Sequence, residues 1–155
     1  MRSRTALWFE CKIKYEKVTE EGFQKKVTEV HVVDALSFAE AQARITEEMS
    51  SYISGEFEVD DIKKAAYKEV FFDDRNTADR WYKAKLEFIT IDEKTEKEKR
   101  TPCTYLVQAA SLNSAMKAIG DVMGGTMIDY DEVSMNSTKI MDVYEYKKTN
   151  GDGKE

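Results

Sequence analysis

The chain is poor in the residue types that build metal centres and nucleophilic sites, with one histidine, His31, and two cysteines, Cys11 and Cys103. A zinc site made of histidine and cysteine needs three or four such ligands close together, so these residues leave that chemistry without a ligand set. The cysteines fall at positions that do not correspond between the two halves described below. They give no sign of a disulfide framework and read as small buried hydrophobes, as His31 reads as a structural strand histidine. A glycine-rich phosphate loop is also missing. Gly124 and Gly125 follow a helical pattern instead of leading into one, so they read as a helix stop in which glycine tolerates the left-handed turn. No cofactor is expected.

Two further absences narrow the setting. No apolar run approaches the roughly 18 residues of a membrane span, and Met1-Arg2-Ser3-Arg4 passes directly into a strand-like pattern without the apolar core of a signal peptide. The expected location is the cytoplasm, with no membrane partner. An excess of basic charge is absent as well, since 24 lysines and arginines face 30 acidic residues for a net charge of −6. The acidity is spread: residues 1–75 hold 12 basic and 16 acidic side chains (12 − 16 = −4), leaving 12 and 14 (12 − 14 = −2) for the rest. No whole-molecule field gathers nucleic acid or anionic lipid.

What is present is a folding sequence with an internal echo. The 155 residues are 41% hydrophobic and 35% charged, enough apolar material for one compact core or two half-domains that share one. A shift of 73 places Trp81 on Trp8 (81 − 8 = 73), Tyr82 on Phe9, Ala84 on Cys11, Leu86 on Ile13 and Phe88 on Tyr15. These positions alternate with Glu10, Lys12 and Lys14 in one half and Lys83, Lys85 and Glu87 in the other, the period of two of a strand with one wet face. Charged stretches at residues 19–22 and 92–99 then lead into second strands at 27–35 and 101–109, which reads as a hairpin in each half. Apolar groups on both faces of the second strands, such as Val32 with Val33 and Leu106 with Val107, predict a sheet covered on both sides.

The helices carry the clearest local signal. Ser37 and Glu40 have the spacing of a capping box, and Ser111 stands where Ser37 does after one inserted residue raises the shift to 74 (111 − 37 = 74). The stripes Phe38, Ala41, Ile45, Met49 and Leu112, Ala115, Ile119, Met123 recur every three or four residues, predicting helices over 37–49 and 111–123. After each helix a β-prone run, 57–72 and 127–146, is long enough for one bulged strand or for two. The expected fold is therefore α+β: two tandem ββαβ repeats with pseudo-two-fold symmetry, antiparallel sheets each carrying one helix. Repeat 1 spans 1–72, a linker 73–79, repeat 2 80–146 and a disordered tail 147–155. The repeats are expected to pack as one compact unit.

Several of these segments also carry a resemblance: Trp8 and Trp81, the run Val33-Asp34-Ala35-Leu36-Ser37-Phe38-Ala39-Glu40-Ala41, the hairpin entry Ile91-Asp92-Glu93-Lys94 and the closing Asp142-Val143-Tyr144. In these the chain resembles an uncharacterised bacterial family, associated with phage or mobile elements and classified only as a domain of unknown function. The resemblance covers nearly the whole chain and implies no catalytic residues.

Candidate chemistry is correspondingly thin. The clusters Glu56, Glu58, Asp60, Asp61 and Asp129, Asp131, Glu132 group carboxylates as a hard cation would require, without the glycine and spacing of a calcium loop. They read as solvated strand ends, and the charge run 93–100 as a wet hairpin tip. Trp8 and Trp81 share the polar register of their strands with Lys12, Lys14, Lys83 and Lys85. Indoles beside lysines on a sheet face make a candidate stacking platform for single-stranded nucleic acid. The plainer reading has each tryptophan covering a strand end or packing between the halves. The expectation is a non-catalytic protein-binding or assembly module, with a nucleic-acid-binding accessory protein using those six residues as the alternative.

Overall fold

The structure is a computed structural model in which residues 1–146 are described. It is an α+β molecule of two helices and two sheets, mostly strand. In chain order the elements are β1 (Arg2–Arg4), β2 (Trp8–Val18), β3 (Gln24–Asp34), α1 (Phe38–Tyr52), β4 (Phe57–Ala65), β5 (Tyr67–Phe72), β6 (Arg80–Ile91), β7 (Glu98–Ala109), α2 (Leu112–Gly124), β8 (Asp129–Ser137) and β9 (Ile140–Tyr144). Each β-prone run after a helix is thus two strands. The tail expected at 147–155 lies outside the described residues.

These elements form two compact units that do not follow the sequence division at 72 and 80. The α1 unit takes Leu7–Ala65 and the described residues from Ile140 on, whereas the α2 unit takes Met1–Ala6 and Ala66–Lys139. The residues expected to be a linker, 73–79, are simply the β5–β6 connection inside the α2 unit. The reason lies in the last strand of each sequence half. β5 pairs with β7 and β9 pairs with β3, so each closing strand belongs to the sheet built by the other half's hairpin. Both pairings are parallel, which corrects the expectation of purely antiparallel sheets. A parallel neighbour needs a long crossover, and a strand from outside the hairpin supplies one.

In the α1 unit the sheet order is β4-β2-β3-β9; in the α2 unit it is β1-β5-β7-β6-β8. The β2–β3 hairpin closes through residues 19–23, where Gly22 has φ 87°, a left-handed conformation that glycine adopts without strain. A bulge between Lys12 and Ile13 against β4 and one between Lys85 and Leu86 against β8 bend the two first strands at corresponding places.

Each helix covers one face of its sheet. In the α1 unit Ala41, Ile45 and Met49 pack on Phe9, Cys11, Ile13 and Val33. In the α2 unit Ala115, Ile119 and Met123 pack on Tyr82, Ala84, Leu86, Tyr105 and Val107. Burying an aliphatic side chain of this size stabilises by about 1.5–3 kcal/mol. The leading stripe residues differ from the sequence pattern: at the first helical position Phe38 and Leu112 are 53% and 43% exposed, although the Phe38 ring still meets Phe9 edge-on at 5.0 Å. Val32 and Leu106, on the face away from the helix, are fully buried, so the central strands are covered on both sides as their apolar runs require.

The two helix starts are capped by different means. Ser37 Oγ accepts from the Glu40 amide at 3.1 Å, but the Glu40 carboxylate accepts from the Leu36 amide, one residue short of closing the box. At α2 the box closes through a serine, since Ser111 Oγ accepts from the Ser114 amide at 3.2 Å and Ser114 Oγ from the Ser111 amide at 2.9 Å. The glycine stop after α2 is not left-handed: Gly125 has φ −83° and ψ 0°, and its amide donates to carbonyls of the last turn.

Candidate functional site

The residues singled out from the sequence do not form an exposed platform. Trp8 and Trp81 are buried, with 0% and 3% exposure. Trp8 opens β2 between Asp34 of β3 and Ala65 of β4. Trp81 meets Phe72 of β5 edge-on, with ring centres 5.6 Å apart, and Arg2 lies over the other side of Phe72, 4.4 Å from its centre, while holding Asp74. An indole so enclosed has no face for a base to stack on. The lysines are also engaged: Lys14 pairs with Asp60 at 3.4 Å, and Lys83 Nζ lies 5.6 Å from the Tyr67 ring centre. Lys12 and Lys85 are exposed on the sheet faces away from the helices.

His31 and the cysteines are structural. His31 is 1% exposed, with Nε2 3.1 Å from Glu29 Oε1, its ring edge-on to Tyr52 and stacked at 5.8 Å on Tyr144. Glu29 also accepts the Tyr15 hydroxyl at 2.9 Å. Burial, followed by that hydrogen bond, raises the Tyr15 pKa well above the ordinary phenol range. Burial likewise pushes the Cys11 thiol up to about 12, with Asp61 and Glu10 adding to it, and raises Cys103. Thiols held in the neutral form are poor nucleophiles. Among the described residues no group of three or more histidine, cysteine or acidic side chains is arranged to hold a metal ion.

Asp34 and Gln108 share one task. Asp34, 3% exposed, receives Arg44 and accepts the Tyr146 amide on Oδ1 at 2.7 Å, while Gln108 Oε1 accepts the Asp73 amide at 3.0 Å. Each side chain closes its second strand by holding the backbone just past the parallel strand beside it. Their differing chemistry is therefore not a sign of different surfaces.

A concave feature lies on the α2 unit, at the hairpin end of the sheet. Ile89, Ile91 and Tyr130 with the carboxylates Glu96, Glu98 and Asp129 line a groove of about 700 Å³. Register explains the assembly: Ile89 stands between Arg100 and Asp129, and Ile91 opposite Glu98, on the sheet face away from α2. The turn beyond is held by the Asp92 side chain, which accepts the Lys94 amide at 2.9 Å, and it places Glu96 at φ 57°. A non-glycine residue there costs about 1–2 kcal/mol.

Charge around the groove is lopsided. Arg100 binds Glu87 at 3.3 Å, Glu98 at 3.1 Å and Asp131 at 2.6 Å, which raises its already high pKa further. Three carboxylates, Glu96, Glu98 and Asp129, are among the lining residues. Lys94 and Lys97 flank the turn without lining the groove, and Lys99 alternates to the other face. Sequence reasoning had the charge run 93–100 and the acidic group 129–132 as separate solvated ends. It missed that β6 lies between them and carries Ile89 and Ile91, of which Ile91 stays 69% exposed. An isoleucine left open between two acidic segments was the available signal.

A family model for a domain of unknown function, DUF4494, matches residues 7–146. The chain belongs to that family. The match runs from the start of the α1 unit through β9 and so takes in both sheets and both helices. No curated protein and no solved structure matches the chain. Among the described residues of this DUF4494 member, no helix is long and apolar enough to cross a membrane.

Proposed function

We propose that this DUF4494 protein is a non-catalytic protein-binding or assembly module. The observation that carries the reading is the groove at the β6 strand end, where Ile91 is 69% exposed beside Ile89 and is rimmed by Glu96, Glu98 and Asp129. Exposed aliphatic groups in a concave, polar-rimmed setting are among the anchors by which proteins hold other proteins. The alternative, a nucleic-acid-binding accessory protein, needs the indoles of Trp8 and Trp81 at the surface and a positive field, and neither condition is supported by their burial or by the charge around the groove.

The same reading holds that the chain descends from two tandem ββαβ copies whose closing strands exchanged places. Matching bulges at Lys12 and Lys85, and matching backbone contacts at Asp34 and Gln108, support it. The resemblance carried by Trp8, Trp81 and the 33–41 run supports a bacterial, mobile-element setting.

Affinity capture of the untagged complex from its native cell, followed by crosslinking, tests the function. Crosslinks from a partner protein are expected at residues 89–98 and 129–130. Turnover of a small substrate that a single carboxylate substitution abolishes would overturn the reading, as would salt-sensitive single-strand binding lost on Lys12→Ala with Lys85→Ala, the two exposed lysines of those strands.

A further inference from the structure

The two hairpins leave their second strands half covered and guard the open halves differently. β9 pairs with β3 only over residues 30–33 and β5 with β7 only over 104–107, so among the described residues 24–29 and 98–103 have a strand on one side alone. An open edge is a template for a further strand, and proteins block it with proline or with charge when it is not used. The one proline of the chain, Pro102, stands on the open part of β7, opposite Glu87. Having no N–H, it belongs where the backbone nitrogen faces away from the neighbouring strand. Thr28 holds the same place in the α1 unit, opposite Lys14, so its amide faces the open side and is there to donate.

The charges on the two edges differ as well. On β7, Arg100 is held by Glu87, Glu98 and Asp131. On β3, Lys25 stands directly opposite Lys17 and Lys26 follows it, and none of the three forms an ion pair among the described residues. Glu29, further along the same strand, is taken up by Tyr15 and His31. Going beyond the groove, we infer that the open edge of β3 takes an extended acidic segment of a partner polypeptide, added as a strand in line with β9. Residues directly opposed in a strand pair share a face, so two adjacent carboxylates set one on Lys25 and the other on Lys26, which point to opposite faces of β3. A β-branched residue opposite Val27 completes the row. Edge lysines turn away a cationic strand, and the same charges select an acidic one.

The test uses the full chain and three capped, fluorescent probes: Thr-Val-Glu-Glu-Val-Thr, which reads alike in both directions, the same peptide with glutamine in place of glutamate, and the glutamate peptide N-methylated throughout. Anisotropy at low salt is expected to show the glutamate probe binding about tenfold more tightly than the glutamine probe, with the preference shrinking as salt rises and no binding of the N-methylated probe. Lys25→Gln with Lys26→Gln should bring the glutamate probe down to the glutamine probe's affinity. Lys99→Gln, at the matching place on the guarded edge, should leave it unchanged. Thr28→Pro, which copies Pro102, should weaken the probe about tenfold with an unchanged circular dichroism spectrum. If that variant does not fold, the N-methylated probe decides the same point. Ile91→Asp should leave the binding as it is, so this edge and the groove fail separately. Equal binding of the glutamate and glutamine probes would overturn the acidic occupant, and tight binding of the N-methylated probe would overturn strand addition. So would a single-stranded oligonucleotide that displaces the probe and binds Thr28→Pro as it binds the unaltered chain. No saturable binding of any probe would overturn both.

Discussion

The four-stranded α1 sheet and the five-stranded α2 sheet, which has β1 as an extra edge strand, each set a hairpin at the centre with a parallel strand beside it, and they differ in what those strands carry. At the middle of the second strand the α1 unit carries Glu29 and the buried His31, which with Tyr15 and Tyr144 form a part-buried polar network. The matching register of the α2 unit carries Cys103 and Tyr105, with Phe71 edge-on to Tyr105 at 5.2 Å. At the hairpin end the contrast is reversed. The α2 unit leaves Ile91 open and Ile89 half-buried among carboxylates, whereas the α1 unit has Glu16 and Val18 at those positions, with Lys17 opposite Lys25 between them. A sheet with one helix-covered face tolerates either solution at each place, because the common layout rests on the apolar layer and the strand register. The lesson is that specialisation here sits at strand ends and at one core position.

The largest way to break the comparison is to cut the chain between its sequence halves. Residues 1–72 alone lack β9, and residues 80–146 lack β5, so each sheet loses the parallel neighbour of its central strand. Neither fragment is expected to unfold cooperatively in urea or to disperse as a folded amide spectrum; a soluble, cooperative monomer of 1–72 would contradict the exchange of closing strands.

Within the intact chain, Ile45→Ala and Ile119→Ala remove the same fully buried contact in the two units. Each should cost about 2–5 kcal/mol by urea denaturation, and a cost near zero for one alone would show that its helix does not hold its sheet. Glu29→Ala should cost about 1–3 kcal/mol, because the Tyr15 hydroxyl and His31 lose their acceptor in a buried place. Changing Tyr15→Phe, Glu29→Cys and His31→Tyr together, which copies the α2 unit, should recover most of that loss. No recovery would mean that the network does more than satisfy its own polar groups.

These predictions also mark what could be seen beforehand. Helix positions were legible because capping serines and spacing by three or four are local, and Ser37 and Ser111 lie at the helix starts. The hairpins were legible from alternation between Phe9 and Tyr15 and between Tyr82 and Phe88. The pairing of β5 and β9 was not, since five apolar-rich residues read alike whichever sheet receives them and the crossover is far longer than any sequence window. Burial of the tryptophans was hidden for a related reason: period two assigns a face, and it cannot tell that the end of that face is covered. The groove was illegible because Ile89 and Asp129 meet only through the β6–β8 register.

A smaller effect, invisible at neutral pH, separates Cys11 from its counterpart Ala84. The folded thiol titrates near 12 against 9.0 for an exposed one, so the stability from keeping it neutral is fully present below pH 9 and is lost as pH rises towards 12. Tyr15, Tyr105 and Tyr144, whose pKa values are also raised mainly by burial, act in the same direction. Chemical denaturation from pH 8 to 11 should therefore show falling stability, less steeply in Cys11→Ala; an identical slope would remove the thiol from the account.

The central claim, that binding belongs to the open strand end of the α2 unit, is tested most directly by selecting displayed peptides on the intact protein and measuring the winners on two variants. Ile91→Asp places a charge on the groove floor, and Val18→Asp does the same at the matching position of the α1 unit, which is 64% exposed. Selected peptides are predicted to lose at least tenfold in affinity on Ile91→Asp and to bind Val18→Asp as they bind the unaltered chain. Equal losses on both variants, or none on Ile91→Asp, would contradict the claim.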